Sequence, residues 1–217
     1  MSETVSDIVE LAPDDRAGFD AMLRIYQMAI EPSEQKPASE IAAIVGNPRY
    51  SVLVLRLNGE VRGFAISYFP EGDFWLLEYM AVDANLRSHG LGRTLFFAAK
   101  AAADARAPNA PCVLEVDLPK PDATPSDDAA RRFRFYRALA CLRIDGLDYL
   151  LPLAANGLPP PMTLLVHGLE ISRALPKGEL ARWLQAIYRD VYAQPADDLR
   201  IVMMLSPIPD PVPLAEL

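Results

Sequence analysis

Leu76-Leu77-Glu78-Tyr79-Met80-Ala81-Val82-Asp83-Ala84-Asn85-Leu86-Arg87-Ser88-His89-Gly90-Leu91-Gly92-Arg93-Thr94-Leu95 is the stretch on which the reading of this chain turns. Phe74 to Val82 is apolar and strand-like, and Leu91 through about Ala105 is alanine-rich and helical in pattern. A strand that runs into a glycine-bearing turn and then a helix leaves bare N–H groups at the positive end of the helix dipole. That is an anion site. Gly90 and Gly92 remove side chains that would block a phosphate, and Arg87 and Arg93 add positive charge locally. The rival reading is a tight strand–helix turn whose glycines serve only the fold. Two phosphate-binding patterns fail on spacing. Gly-x-x-x-x-Gly-Lys-Ser/Thr is absent, and only Gly-x-Gly of the dinucleotide fingerprint is present, after antiparallel-looking strands.

Outward from that stretch, Tyr50 to Leu57 and Val61 to Phe69 are two strands joined by the hairpin turn Asn58-Gly59. Before them, Asp14 to Ile30 reads as a helix capped by Asp14 or Asp15, with Phe19, Met22, Leu23, Tyr26 and Ile30 at helical spacing. A short helix is expected over Ser39 to Val45. Downstream, Cys112 to Leu118 reads as a strand, Ser126 to Leu139 as a helix, and Leu142 to Leu151 with Met162 to His167 as a strand pair. Gly157-Leu158-Pro159-Pro160-Pro161 is a stiff loop between that pair. The plan is α/β (α+β) with one mixed sheet.

Residues 169–217 read as an appendage to a domain over residues 1–168. Leu180, Trp183, Leu184, Ile187, Tyr188 and Val191 form one apolar face of a helix. It packs on the main sheet or, on a sharper reading, makes a homodimer contact or a lid. Leu199 to Leu205 is a strand candidate, and Ser206 to Pro213 alternates in proline.

Composition bounds the function. Lys+Arg is 21 against 29 Asp+Glu, a formal net charge of −8, which argues against a broadly basic nucleic-acid binder and against an anionic membrane surface. Two cysteines, Cys112 and Cys141, disfavour a disulfide scaffold or a cysteine-ligated metal, and His89 and His167 are far apart, so no metal is expected. The start of the chain, Met1 to Asp7, is acidic and has no signal-like apolar core, and no apolar run reaches the roughly 20 residues of a membrane helix. A cytoplasmic location with reduced thiols is the expectation. A length of 217 residues suits one large domain or a domain with an appendage.

Arg87-Ser88-His89-Gly90-Leu91-Gly92 resembles the Arg/Gln-x-x-Gly-x-Gly/Ala element of the GNAT superfamily of acyl-CoA-dependent N-acyltransferases. Ala81-Val82-Asp83 looks like the end of that family's fourth strand, and Phe135-Tyr136-Arg137-Ala138-Leu139-Ala140-Cys141 like its later Phe-Tyr-x-x-x-Gly-Phe segment. The likeness runs from Ile8 to Val166. The chain departs from the pattern at Ala140-Cys141 and at Ala129, where many members carry an asparagine facing the pantetheine arm.

The resemblance implies a mostly antiparallel central sheet flanked by helices, and acetyl-CoA as co-substrate. Arg87, Ser88, His89, Gly90, Leu91, Gly92, Arg93 and Thr94 would hold the CoA diphosphate. The main chain of Met80, Ala81 and Val82 would meet the pantetheine, its amides polarising the thioester carbonyl. Glu78 shares a strand face with Met80 and is the candidate general base, directly or through water. Tyr136 is the candidate acid for the departing thiolate. The alternatives are a structural carboxylate at Glu78 and a core tyrosine at position 136.

His89 is expected to face solvent or CoA. Cys112 and Cys141 are expected to be core residues, and Arg131, Arg132, Arg134 and Arg137 to solvate their helix or pair with Asp127 and Asp128. In this fold the first two helices and their loop wall the acceptor side, and here that region carries Glu31, Glu34 and Glu40 with Tyr26. An acidic wall suits a small-molecule primary amine. The rival functions are a non-catalytic acyl-CoA-binding module and an acyltransferase using a longer acyl chain.

Overall fold

The structure, a computed structural model, describes residues 6–87, 89–153 and 161–217. Ser88, the opening Met1 to Val5 and the expected loop Gly157 to Pro160 lie outside the described residues. Two compact units form, and β4 begins in one and continues in the other. The described parts of the first are residues 6–71 and 77–108; those of the second are 72–76, 109–153 and 161–217.

In the first unit the hydrophobic periods decide the elements. Helix α1 (Arg16–Ala29) starts at Asp15, whose Oδ1 accepts the Gly18 N–H at 2.8 Å. Met22 and Tyr26, one helical turn apart, are buried on it. Helix α2 (Ala38–Ile44) buries Ile41 and Ile44. Strands β2 (Tyr50–Leu57) and β3 (Glu60–Tyr68) form the expected hairpin. Asn58 and Gly59 both take positive φ, 51° and 83°, as a two-residue turn matched to strand twist requires.

Strand β2 buries consecutive residues Val52 to Leu55, so both of its faces are covered. Val52 and Val54 join Met22, Tyr26, Ile41, Phe64, Ile66 and Tyr79 in one cluster. Helix α3 (Leu91–Arg106) packs against β2 and β3 and buries Leu95, Phe96, Ala99 and Ala103. Strand β4 (Trp75–Val82) follows β3 in the order β1-β2-β3-β4. Strand β1 (Ser6–Glu10) has no sequence signal because its run is largely polar. It forms by antiparallel pairing with β2, Ile8 opposite Leu55. The Glu10 carboxylate then accepts the Val52 N–H at 2.7 Å and the Ser51 hydroxyl at 2.6 Å.

The second unit holds β5 (Cys112–Asp117), α4 (Asp128–Ala138), β6 (Leu142–Ile144), β7 (Met162–His167), α5 (Lys177–Ala186), α6 (Leu199–Leu205) and β8 (Leu214–Glu216). Its strand order is β5-β7-β6-β8, antiparallel at β5–β7, β6–β7 and β6–β8. The architecture is thus the expected mixture of helices with largely antiparallel strands.

Two expectations need correction here. The strand over Leu142 to Leu151 stops at Ile144, because the chain turns through Gly146 at φ 75°; beyond it Tyr149 makes a single bridge to Met162. Leu199 to Leu205 is a helix, not a strand. Asp198 caps it by accepting the Arg200 N–H at 2.9 Å, and Ile201, Met204 and Leu205 bury at helical spacing while Leu199, Val202 and Met203 stay exposed. The continuous apolar run Ile201 to Leu205 hides its period, and the cap settles it.

The amphipathic segment is α5 continued by a π-helical turn at Ile187–Val191. Leu180, Trp183, Leu184, Ile187, Tyr188 and Val191 are all buried. Within this unit the Trp183 ring lies 5.5 Å from Phe74, and its Nε1–H donates to Asp73 at 3.0 Å. Among the described residues no helix is long and apolar enough to cross a membrane.

Candidate active site

Strand β4 changes character along its length. Trp75 to Tyr79 are buried, and Met80, Ala81 and Val82 are only half-buried, so the strand end is open just before the turn. Asp83 then organises the exit. Its Oδ1 accepts the Asn85 N–H at 3.0 Å, and Arg62 donates to its Oδ2 at 3.1 Å. The backbone hydrogen bond from Asn85 is the main cause that holds its carboxyl below the usual range; desolvation opposes it, and Arg62 adds to the lowering.

Gly90 stands at the N-cap of α3 with φ 79°, a left-handed conformation that favours glycine. Among the described residues no side chain caps this helix, so none of them occupies its first-turn amides as a cap. A Cβ at Gly90 would meet nothing of the chain within 4 Å, so the turn faces open space. Leu91, Gly92, Arg93 and Thr94 form the first helical turn. The Thr94 N–H and hydroxyl both donate to the Gly90 carbonyl, at 3.1 and 3.3 Å. The Arg93 guanidinium lies over the Phe97 ring at 5.1 Å. His89 is exposed, its Nδ1 2.9 Å from the Arg87 carbonyl and 3.2 Å from that of Leu86. This places one uncapped, glycine-led helix start directly after the open end of a strand, a fit to an anionic, extended ligand.

Glu78 lies in the buried part of β4 and is not alone. Lys36, from the loop between α1 and α2, donates its ammonium to Glu78 Oε1. The Glu78 Oε2 is buried and has no hydrogen-bond partner among the described residues. Burial raises the Glu78 carboxyl above the usual carboxylate range; the Lys36 charge and hydrogen bond pull it back, and Glu40 adds a smaller upward push.

The loop carrying Lys36 is stapled down. The Lys36 N–H donates to the Tyr26 hydroxyl at 2.7 Å, and the Tyr79 hydroxyl donates to the Glu34 carbonyl at 2.9 Å. The two tyrosine rings meet edge-to-face at 5.0 Å. Burial pushes the Tyr26 phenol up to about 12, so it stays a neutral hydroxyl. A cavity of about 400 Å³ opens beside Lys36, lined also by Leu23, Tyr26, Gln27, Gln35 and Pro37.

Sequence reasoning gave an all-acidic wall of Glu31, Glu34 and Glu40 and missed Lys36. The available signal was chemical rather than a motif: a carboxylate inside an apolar strand needs a cation, and Lys36 is the lone lysine of that loop. A larger groove, about 560 Å³, lies on the α1 side of the unit, lined in part by Arg24, Ile25, Arg56, Arg62, Val82 and Asn85.

Tyr136 belongs to the second unit. It is buried on α4, with its ring 5.2 Å from that of Phe135. Burial pushes its phenol well above the ordinary tyrosine value, and the Arg132 charge opposes that. The group is therefore a protonated hydroxyl across the physiological range. Arg132 itself pairs with Asp117, and Arg131 with Asp128, so these arginines serve local ion pairs. Asp127 instead accepts the Thr124 N–H at 2.6 Å. Cys112 and Cys141 are buried free thiols, and burial pushes Cys141 up to about 12, far from a reactive thiolate. Among the described residues no group of three or more His, Cys, Asp or Glu side chains is placed to hold a metal ion.

Many solved structures share the fold. A GNAT-family protein from Bacteroides thetaiotaomicron matches at TM-score 0.63 and 20% identity, over 86% of this chain and 98% of its own. The ribosomal-protein-S18-alanine N-acetyltransferase of Escherichia coli matches at TM-score 0.55 and 20% identity, over 75% and 92%. An acyl-CoA N-acyltransferase of Pseudomonas aeruginosa matches at TM-score 0.53 and 14% identity, over 75% and 99%. No curated protein matches the chain by sequence. The acetyltransferase (GNAT) family model matches residues 19–133, more than half of the chain and the whole of β4, its turn and α3, and the protein therefore belongs to the GNAT acetyltransferases, enzymes of acyl transfer from acyl-CoA.

Proposed function

We propose that this enzyme moves an acetyl group from acetyl-CoA to the primary amine of a small molecule by direct attack. One observation carries the reading: a strand holding a buried carboxylate, Glu78, one oxygen of which has no hydrogen-bond partner among the described residues, opens within a few residues into a glycine-led helix start that no described side chain caps. The first feature suits an amine that must lose a proton, and the second suits a diphosphate.

Arg87, His89, Gly90, Leu91, Gly92, Arg93 and Thr94 line the proposed diphosphate site, with Ser88 completing the turn in sequence. Met80, Ala81 and Val82 offer main-chain partners to the pantetheine, and amides there polarise the thioester carbonyl. The acceptor nitrogen, neutral at the moment of attack, bonds to the carbonyl carbon. The carbon–sulfur bond breaks, the surplus proton on nitrogen passes to Glu78, and the thiolate takes a proton from Tyr136. The acidic residues Glu31, Glu34 and Glu40 favour a cationic acceptor approaching from solvent. No metal takes part in this scheme. The enzyme is proposed to work in the cytoplasm.

The test is release of CoA thiol from acetyl-CoA, followed with a thiol-reactive chromophore across a panel of small cationic, neutral and anionic amines. The panel includes a peptide with a free N-terminal alanine, since the Escherichia coli protein is by name a ribosomal-protein-S18-alanine N-acetyltransferase. Turnover with small cationic amines is expected, and Tyr136→Phe is expected to lower kcat by about 10²-fold or more with the KM for acetyl-CoA unchanged. Turnover confined to anionic amines overturns the acceptor assignment. CoA saturation without amine-dependent thiol release would mark a binding module, and preference for a longer acyl-CoA would reassign the donor.

A further inference from the structure

Lys36 is the one residue at this site that no motif marks. Its side chain is 4% exposed and that of Glu78 is 0%. Moving a lone carboxylate into such surroundings costs several kcal/mol, and the group responds by taking up a proton. A protonated Glu78 cannot accept a proton from an acceptor nitrogen. The ammonium of Lys36 is the counter-charge that opposes this.

Geometry divides the labour between the two carboxylate oxygens. Oε1 receives the Lys36 ammonium, and Oε2 is buried with no donor among the described residues. A buried acceptor atom without a donor is costly unless a partner arrives. Nor is the ammonium on a loose tether. The main chain on either side of Lys36 is fixed, by its own N–H on Tyr26, by Tyr79 on Glu34, and by Gln35 Nε2 donating to the Ile30 carbonyl at 2.8 Å.

We propose that Lys36 is the positioning residue of the acceptor site: its ammonium clamps Oε1, keeps Glu78 ionised, and leaves Oε2 as the lone pair that meets the acceptor's N–H. This rests on Glu78 being the base of the proposed reaction. Among the described residues, the groups around the carboxylate are Lys36 from the loop, Tyr26 from α1, Glu40 from α2 and Tyr79 next to it in sequence on β4. Only Lys36 supplies positive charge among them. Glu40 acts in the opposite direction. Loss of Lys36 therefore moves the carboxyl's midpoint upward, and any rate that needs the ionised form loses its acid side.

The test is a pH titration of the full-length protein carrying 13C at the glutamate δ-carbons, with the Glu78 resonance assigned by its loss in Glu78→Gln. In Lys36→Met the Glu78 midpoint is expected to rise by more than about one pH unit over wild type, while Lys36→Arg stays within about half a unit. A folded Met variant whose midpoint matches wild type overturns the proposal.

Should the Met variant fail to fold, Lys36→Gln, which keeps a donor for Oε1 but no charge, takes its place: its Glu78 midpoint is expected to rise by more than about one pH unit, and a midpoint matching wild type overturns the proposal. The second readout is the pH dependence of kcat/KM with acetyl-CoA and the best amine of the panel. Its acid limb is expected to move with the carboxyl midpoint, and a limb that stays put while the midpoint moves also overturns the role. Failure of the functional reading itself looks different: no amine-dependent thiol release in wild type, with the carboxyl titration still deciding whether Lys36 holds Glu78 ionised.

Discussion

Glu78→Gln is expected to lower kcat by about 10²–10⁴-fold while leaving the affinity for CoA within about threefold. Gln keeps the volume of Glu and can still accept from Lys36, but it cannot take a proton. The loss should fall on the chemical step, because Glu78 is buried in β4 and the proposed diphosphate contacts lie beyond Val82. Gln also leaves the Lys36 ammonium buried without its counter-charge, and removing one partner of a buried pair typically costs about 3–5 kcal/mol. Circular dichroism and a urea melt must therefore accompany the kinetics. A folded variant with wild-type kcat would remove Glu78 from the chemistry.

The second large effect concerns stability. Trp183→Ala is expected to destabilise the protein by about 3–5 kcal/mol, the range for deleting a fully buried large aromatic. Trp183 is 1% exposed and touches Phe74, and its indole N–H is bonded to Asp73. The truncation loses the buried apolar area and leaves a cavity as well. Trp183→Phe keeps most of the ring and gives up the hydrogen bond, so its expected cost is about 1 kcal/mol for the bond plus a smaller packing defect. Urea denaturation followed by circular dichroism separates the two. Equal midpoints for the Ala variant and wild type would mean that α5 contributes little to the second unit.

The fold was legible wherever the chain carries a period or a special turn. Asn58-Gly59 announced the hairpin, and Met22 and Tyr26 showed the buried face of α1. Gly90 marked the start of α3 because few other residues take its φ. Legibility ended where structure comes from pairing rather than pattern. The run Ser6 to Glu10 is a strand only because β2 offers an edge, and Leu214–Glu216 only because β6 does. At Leu199 to Leu205 the period was masked by the unbroken apolar run Ile201 to Leu205, and Asp198 as cap was the better guide.

At the site, Glu78 and the Gly90 turn could be named from one segment because both lie on it. Lys36 could not, since it reaches Glu78 from 42 positions away in sequence, through a loop held by Tyr26 and Tyr79. Motifs find residues that are neighbours along the chain. Charge compensation inside a core has to be found by asking what neutralises each buried ion.

The most direct test of the account is a calorimetric titration of wild type and Gly90→Val with coenzyme A. A valine at φ 79° costs about 1–3 kcal/mol of backbone strain and sets branched carbons into the turn, where an added Cβ meets nothing within 4 Å among the described residues. Wild type is predicted to bind CoA saturably at one site, and the folded valine variant at least about tenfold more weakly, equivalent to about 1.4 kcal/mol. Absence of saturable heat in wild type, or equal affinity in the two proteins, would contradict the claim that the backbone after Val82 grips the diphosphate.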